Sequence, residues 1–141
     1  MSYLPWAILA LGAYTLVPVL MRVATTGPNA IPSDVATMLS NLVLVVVAGV
    51  VIVTTGQQVT PHLNSPKLRY PIAAGVFLGI GILAYYRALS LGPVSVVTPV
   101  FGMFLVTSSI VGIAVLGEPL TPRKLLGVAL AVVAVYLVTV E

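Results

Sequence analysis

No charged side chain occurs between Asp34 and Lys67, and none between Arg87 and Glu118. Apolar stretches of this length fix the solvent before they fix the fold. An average soluble domain is about 25% charged, whereas this chain of 141 residues is 6% charged and 60% hydrophobic. Six Lys or Arg and three Asp or Glu are too few to coat a water-exposed surface. Lipid is therefore the solvent for most of the chain. In lipid every backbone polar group must be satisfied internally, and long runs without alternation or turn signals argue for helices over barrel strands. A spanning helix needs roughly 20 apolar residues, which leaves room for at most about five or six spans.

The same composition removes other classes. The net charge of +3 comes from cations spread along the sequence, without the patch that tracks a phosphate backbone, so nucleic acid is not an expected partner. Without cysteine there is no disulfide framework, thiolate nucleophile, iron–sulfur or zinc-thiolate site. One His, no Gly-rich phosphate loop and no mid-membrane acid pair leave neither a nucleotide-driven pump nor an intramembrane protease. The chain is not expected to be an enzyme, and no cofactor or metal is expected.

The apolar runs predict five spans, at about 3–22, 35–54, 71–91, 94–116 and 125–140. The first could also be read as a signal peptide with a cleavage-like Ala10-Leu11-Gly12, but no Lys or Arg precedes it and the run continues well past Gly12. Pro18 is expected to kink this helix. Ser33 or Asp34 is expected to cap the second. Gly92-Pro93 leaves almost no loop between spans three and four, with Gly92 ending one helix and Pro93 opening the next, which makes the two an antiparallel hairpin. Gly117 ends span four, and Thr121 is expected to cap span five with Pro122 at its first position. Arg123 and Lys124 can extend this short span by snorkelling.

Five spans place the termini on opposite faces of the membrane. Lys67, Arg69, Arg123 and Lys124 share one face with the N-terminus, against Arg22 and, if it reaches out, Arg87 on the other. The positive-inside rule then puts the N-terminus in the cytoplasm and the C-terminus outside.

Membrane helices associate through close packing, small residues and hydrogen bonds. Gly75 with Gly79, Gly127 with Ala131, and a stripe of Ser95, Thr98, Gly102, Ser109 and Gly112 supply small faces; the glycines, Gly75, Gly79, Gly102 and Gly127, are expected to permit close helix approach. Thr98, Thr107, Ser108 and Ser109 could equally bond their own backbone carbonyls. Pro99 removes a helical hydrogen bond and frees the backbone near Ser95. A charge inside the membrane costs on the order of 3 kcal/mol, which makes intramembrane polar groups the best pointers to function. Arg87 is the one candidate. It is either an interfacial anchor between headgroup-level tyrosines or an anion-binding group in a cavity, with Tyr14, Tyr85 or Tyr86 lining it. No Asp or Glu lies mid-span: Asp34 opens span two, Glu118 follows span four, and Glu141 is the last residue. Glu118 is expected to pair with Arg123 or Lys124, and His62 to be solvated.

The stretch from Ala84 through Tyr85, Tyr86, Arg87, Ala88 and Leu89 to Val100, together with Leu116-Gly117-Glu118-Pro119-Leu120-Thr121 and the Gly127-containing last helix, resembles an EamA domain of the drug/metabolite transporter superfamily. The pattern carried is Tyr-x-x-Ala-Leu at Tyr85 to Leu89, a proline early in the fourth helix at Pro99, and Gly117-Glu118 at its end. The resemblance implies a carrier of small metabolites working by alternating access, commonly built from two such five-helix domains. An odd helix count inverts the second relative to the first, an inverted-repeat architecture. This chain has one domain over 1–141 and no internal repeat, so it is expected to be half of such a fold.

The resulting expectation is an all-α protein of a plasma or inner membrane, a half-size secondary-type transporter subunit that moves a small metabolite or drug-like solute as a homo- or heterodimer with another five-helix chain. Arg87, Tyr14, Tyr85, Tyr86, Thr98 and Asn41 are the expected substrate-lining residues, with Gly75, Gly79, Pro93, Pro99, Gly102, Gly117, Glu118 and Gly127 as structural motif positions. The alternative is a non-transporting membrane subunit that assembles with or regulates a larger carrier.

Overall fold

A computed structural model describes residues 3–140; Glu141 lies outside the described residues. Among the described residues the regular structure is helical: α1 Leu4–Thr25, α2 Ser33–Thr54, α3 Arg69–Leu91, α4 Val94–Leu116 and α5 Pro122–Thr139, with two short 3-10 turns at Thr60–His62 and Pro66–Leu68. All five long helices have the length and apolar composition to cross a membrane. The 23 residues of α4 span about 35 Å, and the 18 of α5 about 27 Å, slightly less than a hydrocarbon core of about 30 Å.

The helix ends show where local chemistry acts. Thr121 Oγ1 accepts the Lys124 backbone N–H at 3.3 Å, and Pro122 stands at the start of α5, as the sequence suggests. Gly117 closes α4 in the left-handed conformation (φ +69°), which costs glycine nothing because it lacks Cβ. Two end signals work differently from expectation. Neither Ser33 nor Asp34 caps α2: Pro32 takes the cap position, buried Ser33 lies already in the helix, and its hydroxyl donates to Asp34 Oδ1 at 3.3 Å. Pro32 supplies the extended backbone a helix entry needs (ψ +136°), so the side chains behind it are released from capping. At the α3–α4 junction Pro93 is likewise the cap and not the first helical residue, and Gly92 is not among the left-handed glycines, which are Gly27, Gly56 and Gly117. Helix α1 continues through Pro18 to Thr25, where hydroxyls of Thr25 and Thr26 bond the carbonyls of Met21 and Arg22.

The chain forms two compact units, Met1–Ser90 and Leu91–Glu141. In the first, burial concentrates where the end of α1 (Pro18, Met21, Thr25), the start of α2 (Ser33, Ala36, Thr37) and the end of α3 (Tyr85, Tyr86, Leu89) meet. Leu89 is fully buried. Lipid gives no hydrophobic drive for helix pairing, so specific polar contacts carry weight here. One is clear from covalent chemistry. The carbonyl of Leu89 would take the N–H four residues on, but that residue is Pro93, which has none. Arg22 of α1 fills the gap, its guanidinium Nη1 donating to the Leu89 carbonyl at 2.6 Å. In the second unit α4 packs along α5.

Candidate functional site

The polar side chains of α2 fall on one helical face near its N-terminal end. Asp34, Thr37 and Asn41 recur three and four residues apart and so align along the helix. They form one wall of an open groove of about 320 Å³ whose other wall is α3, with Gly75, Leu78, Gly79, Ile82 and Leu83. This volume lies within the ~300–1,000 Å³ of small-molecule sites. From Asp34 to Asn41 the groove descends about 10 Å along the helix.

A hydrogen-bonded network joins this groove to the buried tyrosines. The Thr37 carbonyl accepts from Asn41 Nδ2 at 2.8 Å and from the Ser40 hydroxyl at 3.0 Å. Ser40 also lies within hydrogen-bonding reach of the Tyr86 hydroxyl, which ties the end of α3 to α2. The Tyr86 ring meets that of Tyr85 in a tilted pair, centroids 5.7 Å apart at 40°, and Tyr14 and Tyr85 both lie within electrostatic range of the Tyr86 hydroxyl. Asn41 uses one of its two amide donors in this network, and its carbonyl oxygen has no partner among the described residues. The groove thus presents a carboxylate at its mouth and an amide acceptor within, between apolar walls.

Of the side chains the sequence singles out, Asn41, Tyr14, Tyr85 and Tyr86 gather around α2 and the end of α3. Arg87 follows Tyr86 on α3 but is exposed; its carbonyl accepts the Ser90 hydroxyl at 2.7 Å, and its guanidinium neither lines the groove nor makes an ion pair among the described residues. On a helix it projects well away from the buried positions 85, 86 and 89. Thr98 is half-buried on α4, in the other unit. Thr107, Ser108 and Ser109 do bond their own helix, at the carbonyls of Phe104 and Leu105. Within each unit, a Cβ built at Gly75, Gly79, Gly102 or Gly127 meets no atom of the described residues within 4 Å. Gly75 and Gly79 line the α2–α3 groove and Gly127 the groove between α4 and α5. Ser40 and Thr37 belong to the network although sequence reasoning passed over them, and Asp34, expected there as a cap, lines the groove. Their signal is a cluster of polar residues, 33, 34, 37, 40 and 41, at helical spacing on an otherwise Val- and Leu-rich helix.

A second groove, of about 370 Å³, runs between α4 and α5, lined by Leu105, Val106, Ser109, Ile113, Gly127 and Val128 with Glu118 and Lys124 at its mouth. Glu118 pairs with Lys124 at 3.7 Å, both side chains about half exposed, and its carboxylate lies against Gly112.

All five long helices have the length and composition to span a membrane, and each unit carries a groove of small-molecule size. A family model described as the EamA-like transporter family matches residues 1–140. The chain belongs to the EamA-like transporter family. This EamA-like chain is similar to a Sinorhizobium protein named "Uncharacterized transporter in cobO 3'region", with 32% identity over 125 residues, 88% of this chain and 86% of that protein. Since the 125 matched residues make up 86% of it, the Sinorhizobium protein has room for one such domain. No solved structure matches the chain. As a single EamA domain with five apolar helices, it is a multi-pass membrane transporter, and transporters of this family are generally not enzymes.

Proposed function

We propose that this EamA-like protein is half of a transport unit, moving a small metabolite or drug-like solute across a plasma or inner membrane by alternating access and without catalysis, as a dimer with a second five-helix chain. One observation carries the reading: the family's domain occupies residues 1–140 with five spans, an odd number that a second, inverted copy would complete. The length of the Sinorhizobium relative agrees with a one-domain protomer. The N-terminus lies in the cytoplasm and the C-terminus outside, by the distribution of Lys67, Arg69, Arg123 and Lys124. Symmetry about the membrane normal or in its plane would both close the dimer.

Solute enters between protomers and meets Asn41, Tyr14, Tyr85 and Tyr86 from the α2–α3 side, with Thr98 and Arg87 contributed to the same passage. The Asn41–Thr37–Ser40–Tyr86 network supports this assignment, because it holds a free amide acceptor in place within a groove of solute size. Reconstitution of the purified chain into vesicles, with a panel of metabolites and cationic drugs under imposed gradients, tests the proposal. Flux of at least one solute is expected, and it should be altered by Arg87→Gln with insertion intact. A folded, correctly inserted dimer that moves none of them overturns the transport reading in favour of an assembly subunit.

A further inference from the structure

The α4–α5 groove has a different character from the one at α2–α3. Its length is walled by Leu105, Val106, Ile113 and Val128, and its one hydroxyl, Ser109, is turned back to the Leu105 carbonyl at 2.8 Å. The side chains of the interior therefore offer a solute no free hydrogen-bond donor below the mouth. At the mouth the charges do not balance. Arg123 and Lys124 stand in the first turn of α5 with no acid in that turn, and one carboxylate, Glu118, answers them at Lys124. Arg123 has neither ion pair nor hydrogen bond among the described residues. With α5 about 27 Å long, slightly less than the hydrocarbon core, the Arg123 and Lys124 side chains at this end extend to the headgroup layer by snorkelling.

We infer that the α4–α5 groove binds one acyl chain of an anionic phospholipid, whose phosphate engages Arg123 and Lys124. The occupant follows from charge complementarity at one end and apolar walls along the rest. A zwitterionic lipid brings its own cation beside the phosphate and so leaves the excess positive charge of Arg123 and Lys124 uncompensated, and a water-soluble anion would leave the groove unfilled. Glu118 competes with the phosphate for Lys124, which makes its carboxylate a brake on lipid affinity. Gly127 keeps the groove open, since a Cβ there meets nothing within 4 Å. A leucine at this position consequently fits the fold, favours the helix and fills the groove.

The test is native mass spectrometry of the full chain released from micelles containing equal phosphatidylglycerol and phosphatidylcholine, counting retained lipids, with circular dichroism to verify folding. The wild type should retain phosphatidylglycerol several-fold over phosphatidylcholine. Removing both cations (R123Q with K124Q) should bring the ratio to about one, G127L should abolish retention of either lipid, and E118Q should raise the phosphatidylglycerol share. Equal retention of the two lipids by the wild type overturns the inference, as does a folded G127L chain that keeps phosphatidylglycerol. A G127L chain that loses a dimer and not a lipid assigns the groove to a second copy of the protein and overturns it equally.

Discussion

Arg22→Met removes the side-chain donor that the Leu89 carbonyl has among the described residues while keeping an apolar stem of similar length. The Leu89 side chain is fully buried, and Pro93 denies its carbonyl the helical alternative, so the loss leaves a protected acceptor empty. A hydrogen bond to a charged donor contributes about 1.5–3 kcal/mol, and an unsatisfied buried acceptor costs a comparable amount. The expected destabilisation is about 2 kcal/mol, near the middle of that range. Equilibrium unfolding in mixed micelles, followed by far-UV circular dichroism across a denaturing-detergent titration, reads it. The proline supplies the internal control. In a Pro93→Ala background residue 93 regains an N–H able to reach Leu89, and Arg22→Met should then cost less than half as much, a coupling that a double-mutant cycle measures directly. Equal costs in the two backgrounds, or a cost below about 0.5 kcal/mol in the native sequence, would refute the idea that Arg22 answers for the missing proline N–H.

Tyr86→Phe should destabilise by about 0.6 kcal/mol, typical of a hydrogen bond between membrane helices, and should add nothing further in a Ser40→Ala chain, since both remove one bond. Gly75→Leu should insert and fold normally because its Cβ meets open space, yet fill the α2–α3 groove; vesicle flux should fall at least tenfold with unchanged circular dichroism, and undiminished flux would remove that groove from the passage. Lys124→Gln should alter unfolding free energy by less than about 1 kcal/mol, because the Glu118 pair is half-exposed at 3.7 Å; a larger loss by detergent titration would make that pair structural.

The five helices were legible because length and hydropathy report the solvent directly, and the α5 cap because Thr121-Pro122 states its chemistry locally. The α2 entry was misread for an equally local reason: Pro32 already sets the backbone, so Ser33 and Asp34 are not needed as caps. What pattern could not give was pairing between helices. Nothing near Arg22 in sequence announces Leu89, 67 residues on, as its partner. Ser40 looks like any membrane-helix serine until Tyr86 is set against it. The glycines illustrate the same gap in reverse, since a small face can be read from spacing, but whether it meets a helix or an open groove depends on where the neighbours lie. The expected substrate residues split along this line: Asn41 and the tyrosines gather in one unit, while Arg87 is exposed and Thr98 belongs to the other.

The central claim is that one chain is half of a working carrier. Single-vesicle flux measurements, with chains counted by stepwise photobleaching of a fluorophore on each, test it most directly. The account predicts solute flux only in vesicles holding two or more chains; flux in vesicles holding a single chain would contradict it.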